Sequence, residues 1–314
     1  MSIVEEKHGR DAHATYFRAL IAIAVVAGSG WYVWHSRHQL AVVLKLDWHY
    51  LVPMILVPLA SLGVNGLIGR DLAAEFGVKL SAVEWYGLAV VNSLGNYLPL
   101  PQAGAVARGM YLKRVHGLSY VTYGATLVAT YVSAVALYGI LGLTGLAILS
   151  FLGRPSPLFL WVVFAALTGS LLLFTPAVRF LPLPRRLVDL PTHLKALRSH
   201  HLLRRIILLQ TLLVALTTTG LWLACRTLPG GHEVTWPIAL MLGLMILGSG
   251  IVNVTPGNIG VEQGVAELSA RMLHITPNVG FLGSAIFRAV SVVTILAIGP
   301  VFSMVLARRR AIDH

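Results

Sequence analysis

Residues 118–152 run for 35 positions without a single Lys, Arg, Asp or Glu, and that uncharged stretch limits the possible folds more than any other feature. A soluble domain carries roughly 25% charged residues. Here 11% of 314 residues are charged and 56% are hydrophobic, with a mean hydropathy of +0.77. Such a chain belongs in a bilayer, where a crossing helix needs about 20 apolar residues. Segments 18–34, 50–68, 158–178, 206–225 and 281–306 meet that requirement. Segment 118–152 exceeds one simple crossing, so it reads as a single long element that is tilted or kinked. Gly139, Gly142 and Gly145 are positioned to bend it, and the Gly139–Gly142 spacing also suits close helix packing. Pro53 and Pro58 are expected to kink the 50–68 span.

Two more apolar stretches, 82–98 and 236–253, end in matched interruptions. The first contains Asn92, Asn96, Pro99, Pro101 and Gly104; the second contains Asn253, Pro256, Gly257, Gly260 and Glu262. Asn96 to Pro99 repeats the spacing of Asn253 to Pro256. At membrane depth, helix breakers free backbone groups that are tolerated only inside protein or beside a wet cavity. Matched breaks in two halves of a membrane protein point to a midplane binding site.

Charge sets the topology. Arg179, Arg185, Arg186, Lys195, Arg198, Arg204 and Arg205 cluster between two spans, and Arg308, Arg309 and Arg310 follow the last one. Basic loops stay on the cytoplasmic side. If 82–116 and 236–276 are re-entrant hairpins, six crossings remain and both termini are cytoplasmic. Each half then reads span, span, hairpin, span, and its three crossings invert the second half relative to the first. The expected fold is therefore an all-α polytopic membrane protein with about six spans and two re-entrant hairpins in inverted repeats. Residues 1–17 form a cytoplasmic tail, 18–152 and 158–306 the two repeats, and 307–314 a basic tail. The segment from Phe17 to Trp34 is longer than a signal-peptide core and lacks a small-residue cleavage site, so it reads as a retained span.

After each break the sequence restarts a short helix, roughly 103–115 and 259–273. A helix start offers free N–H donors and partial positive charge to a phosphate or carboxylate. Arg108 lies about a turn inside the first restart, and its guanidinium can grip a phosphate through two parallel bonds. Glu262 opens the second restart. It is suited to capping the helix dipole, to meeting an ammonium group, to pairing with Arg108 or Arg288, or to holding a proton. Arg288 lies too deep in the last span to snorkel, which leaves ligand contact or a pair with Glu262. Asn92, Asn96 and Asn253 suit either a lipid headgroup or the capping of broken backbone. Glu267 and Arg271 have the spacing of a simple helical pair.

Several functions find no support in the chain. Cys225 is the only cysteine, so an intramolecular disulfide is excluded. The 12 histidines are scattered, and the pairs His35/His38 and His200/His201 lack a third ligand nearby. Neither a metal nor a cofactor is expected. The net charge of +12 flanks apolar spans, which suits anionic lipid and not nucleic acid. No phosphate-binding loop, His-Glu-x-x-His or Gly-x-Ser-x-Gly signature is present, so no enzyme activity is expected.

The segment from Asn92 to Arg108, with the Tyr111–Leu118 stretch after it, resembles the membrane domain of lysylphosphatidylglycerol synthases and related stand-alone flippase-like proteins. The Pro256–Glu262 segment and the later Arg288 resemble the same family's second motif, and the resemblance covers about residues 20–306. Two departures are visible. Ala105 stands where the family has Glu, and Asn258 replaces a Gly. The resemblance implies a bacterial inner-membrane protein that handles a lipid: a phospholipid, an aminoacyl-phospholipid, or a polyprenyl-linked or hopanoid lipid. With no room for the soluble synthetase domain, the chain is expected to flip or bind a lipid with a phosphate-containing headgroup. The alternative is an accessory subunit that presents a lipid to a glycosyltransferase or synthetase. The expected contacts are Asn92, Asn96, Pro99, Gly104, Arg108, Asn253, Pro256, Gly257, Gly260, Glu262 and Arg288.

Overall fold

The computed structural model describes residues 46–97, 102–154, 156–180, 199–250, 258 and 260–312. The 18–34 span, the His35/His38 pair and most of the basic 179–205 loop lie outside the described residues. Those described form helices α1 (Trp48–Ala74), α2 (Ala82–Gly95), α3 (Ala103–His116), α4 (Tyr120–Phe151), α5 (Leu158–Phe180), α6 (His200–Arg226), α7 (Trp236–Ser249), α8 (Val261–Met272) and α9 (Pro277–Ile312). A short 3-10 turn, Gly231–Glu233, precedes α7, and no strand occurs among the described residues. The fold is all-α, as expected. Among the described residues α1, α4, α6 and α9 are long and apolar enough to cross a membrane.

Local chemistry sets where these helices begin and end. Asp47, Ser119 and Ser199 accept from backbone N–H groups in the first turns of α1, α4 and α6, the usual N-cap arrangement. The α4 helix continues unbroken for 32 residues, about 48 Å at 1.5 Å per residue. Its glycines serve close packing, as the Gly139–Gly142 spacing suggests. A Cβ on Gly139 or Gly142 would overlap Thr168 or Phe164 of α5, and one on Gly145 would overlap Met241 of α7. Small residues let helix backbones approach closely in lipid, where the hydrophobic effect supplies no drive between helices. Pro53 and Pro58 both lie inside α1 without ending it.

The interrupted segments fold as short helix pairs. In the first, α2 and α3 run antiparallel. Gly95 and Gly104 meet backbone to backbone at the tip, and Glu84 accepts from Tyr111 Oη at 3.0 Å near the base. His116 Nε2 lies 3.0 Å from the same carboxylate. In the second, Asn258 Nδ2 donates to Ser249 O at 3.2 Å, and Val234 and Ile238 share a buried cluster with Leu273 and Ile275.

The order long helix, short pair, long helix thus occurs twice, as α1, α2–α3, α4 and as α6, α7–α8, α9. Packing crosses between the two sets. Helix α1 lies on α6, α4 lies on α7, and α9 lies on α2. Polar contacts reinforce these crossings. Buried Gln210 of α6 donates to Thr130 O and Ser133 Oγ of α4, each at 3.0 Å, while Arg205 Nε of α6 lies 2.6 Å from Asp71 Oδ2 of α1. The cross-packing brings the tips of both short pairs to one place.

Candidate functional site

That place is a cavity of about 320 Å³. Its wall takes Asn92 and Asn96 from the end of α2, Gln102 and Ala105 from the start of α3, Asn258 and Glu262 from the second break, and Arg288 from α9. The two sequence motifs, more than 150 residues apart in the chain, therefore face one space.

Both helix restarts border it, and both need unusual backbone. Gln102 has φ 58° at the cap of α3, while Asn258 and Gly260 have φ 60° and 82° ahead of α8. Positive φ is cheap for glycine and tolerable for asparagine, which accounts for Asn258 standing where the resembled family has Gly. The Gly260 N–H is taken by Gln263 Oε1 at 2.8 Å. The remaining first-turn N–H groups give the cavity edge the positive end of a helix dipole.

The charges around the site are arranged unequally. Arg288 Nη1 donates to Glu262 Oε2, joining α9 to the start of α8, and its guanidinium carbon lies 6.0 Å from the centre of the Tyr97 ring at the tip of α2. Of the roles open to Arg288 and Glu262, mutual pairing is realised. Arg108 sits differently. It lines a smaller adjoining cavity of about 130 Å³ with Asn65, Asn92, Tyr123, Thr126 and Tyr131. Its guanidinium fills the space left by the missing side chain of Gly69 on α1. Among the described residues no carboxylate pairs with it, and its Nε has no hydrogen-bond partner.

The other expected contacts fall in three groups. Asn92 and Asn96 line the large cavity; the backbone of residues 98–101 that they were expected to cap lies outside the described residues. Gly104 packs its backbone against Asn92 O, and Gly260 shapes the α8 start; neither lines the cavity. Pro99, Asn253, Pro256 and Gly257 lie outside the described residues. Glu267 and Arg271 form the expected exposed helical pair at 2.7 Å.

Some lining residues were not anticipated. Ser284 and Ser291 flank the expected Arg288 at helical spacing on one face of α9, a polar stripe in an apolar span that periodicity alone shows. Asn65 of α1 lines the smaller cavity, and its Nδ2 donates to Ser61 O at 3.0 Å. Tyr131 carried no such signal, being one aromatic in a long apolar run.

No curated protein matches the chain. A family model described as the lysylphosphatidylglycerol synthase TM region matches residues 19–299, taking in every residue named as lining the two cavities, and the chain belongs to that family.

Proposed function

We propose that this protein, in the bacterial inner membrane, moves a lipid with a phosphate-containing headgroup between leaflets, the tails staying in the bilayer while the headgroup enters the polar cavities. One observation carries the reading. Arg108 is a partly buried cation with polar neighbours and no carboxylate among the described residues, whereas Arg288 is already met by Glu262. Removing a charge from water without a partner is costly, and a guanidinium fork matches phosphate oxygens. A phosphate is the counter-charge that this cavity is shaped to accept. The two helix starts beside the larger cavity add partial positive charge for the same group.

Membership of a family named for lysylphosphatidylglycerol synthase supports a membrane lipid as the cargo. We read the two sets of helices as inverted repeats, which their matching order and exchanged packing support. The reading includes no chemical step and no cofactor.

The test is headgroup accessibility of fluorescent phospholipids in vesicles holding purified protein, unaltered beside Arg108→Ala and Arg108→Lys. Accelerated exposure of inner-leaflet lipid, lost in Arg108→Ala and only partly kept in Arg108→Lys, is the expected result. Lipid binding without acceleration would replace transport with presentation of a lipid to a partner enzyme.

A further inference from the structure

Two residues, Asn92 of α2 and Tyr131 of α4, line both cavities, and no other described residue does so. Arg108 lies on one side of them and the Glu262–Arg288 pair on the other. Tyr131 is 42% exposed although it lies well inside a 32-residue helix, because its ring faces these spaces and is not packed away. Among the described residues neither the Tyr131 hydroxyl nor the Asn92 amide has a hydrogen-bond partner.

We infer that the two cavities are successive chambers of one polar route and that Asn92 and Tyr131 form the threshold between them. The inference rests on the transport reading for what passes, a headgroup; the threshold itself is a property of the cavity walls. A polar group leaving Arg108 for the larger chamber passes the Tyr131 hydroxyl and the Asn92 amide, which can donate to its oxygens. Removing the ring opens the passage, and enlarging it narrows the passage. Thr130 lines the Arg108 chamber and not the larger one, and Ser284 lines the larger chamber and not that one. These two positions therefore report on the two sides.

The experiment uses the full chain in vesicles, carrying Thr130→Cys or Ser284→Cys, with an impermeant sulfonate-bearing thiol reagent. Native Cys225 is 0% exposed and contributes little background. The face from which the reagent reaches Thr130→Cys is the reference face. From that face, Ser284→Cys is expected to react about tenfold faster when Tyr131→Ala is added and more slowly with Tyr131→Trp. Asn92→Ala, a smaller change at the same threshold, should also speed the reaction. Unchanged Ser284→Cys reactivity in both Tyr131→Ala and Asn92→Ala overturns the threshold, whatever the lipid does. Fluorescent-lipid exposure in the same vesicles separates the two claims. If the unaltered protein moves no lipid while labelling responds as described, the transport reading fails and the threshold is supported.

Discussion

Glu262 and Arg288 stand 26 residues apart in sequence and meet as an ion pair that fastens the start of α8 to the wall of α9. The Arg288 side chain is 9% exposed and that of Glu262 is 22% exposed. This contact fixes one helix start at the cavity edge and also neutralises one of the two arginines near it. The other, Arg108, has no carboxylate partner among the described residues.

Breaking the pair should cost stability from either side. Glu262→Ala and Arg288→Ala are each expected to destabilise the protein by about 3 kcal/mol, the low end for buried pairs because Glu262 is partly exposed. The double variant Glu262→Ala/Arg288→Ala should lose clearly less than the sum, by a coupling energy on the order of 1 kcal/mol. Unfolding in detergent, analysed as a double-mutant cycle, reads this directly; strictly additive losses would refute the pair.

Arg108 should behave in the opposite way. Because no described carboxylate meets it, Arg108→Met removes an uncompensated charge and is expected to leave the thermal midpoint unchanged or raise it. Lipid translocation should nevertheless be lost. A large drop in thermal midpoint would show that Arg108 serves the fold and not a ligand.

Two glycine substitutions separate packing from ligand binding. At Gly104 a Cβ would overlap the backbone oxygen of Asn92, which cannot move aside, so Gly104→Ala should cost about 1–3 kcal/mol or more through overpacking. At Gly69 the Cβ would overlap the guanidinium of Arg108, the free end of a long side chain. Gly69→Ala should therefore fold nearly as well as the unaltered protein yet translocate lipid poorly, because Arg108 is displaced. Equal stability losses for the two variants would contradict this account.

The second hairpin tip depends on Asn258 in two ways, through its φ of 60° and its bond to Ser249 O. Asn258→Gly keeps the backbone conformation and loses one hydrogen bond, about 1 kcal/mol. Asn258→Val adds strain, because a β-branched residue is an outlier at positive φ. Thermal midpoints should rank the unaltered protein above Asn258→Gly and Asn258→Gly above Asn258→Val. A Val variant as stable as the Gly variant would remove the backbone argument.

At the base of the first hairpin, Glu84 accepts from the Ser81 N–H at 2.8 Å and from Tyr111 Oη at 3.0 Å, with His116 Nε2 also 3.0 Å away. Glu84→Ala leaves these groups partly buried without their acceptor and is expected to cost about 1–3 kcal/mol. Hydrogen exchange of the α2 and α3 backbone amides should quicken as the two helices loosen. Unchanged exchange would show that the hairpin is held by its apolar faces alone.

The sequence by itself determined the all-helical membrane class, the two interrupted segments, and the short restarts expected near residues 103 and 259. These features follow from local physics. Uncharged runs belong in lipid, proline and glycine interrupt helices, and helices resume where a first turn can be capped. Tertiary structure decided the rest. Which neighbours Gly139, Gly142 and Gly145 admit was one such matter, and they accommodate Phe164 and Thr168 of α5 and Met241 of α7. The sequence left Glu262 open to either arginine; packing of α8 on α9 gave it Arg288, and packing of α3 against Gly69 placed Arg108 in a separate chamber. Tyr131 became a shared wall only because α4 passes both hairpins. A side chain's role at such a site depends on which helix faces cross within a few ångströms, and no local pattern in a chain records that.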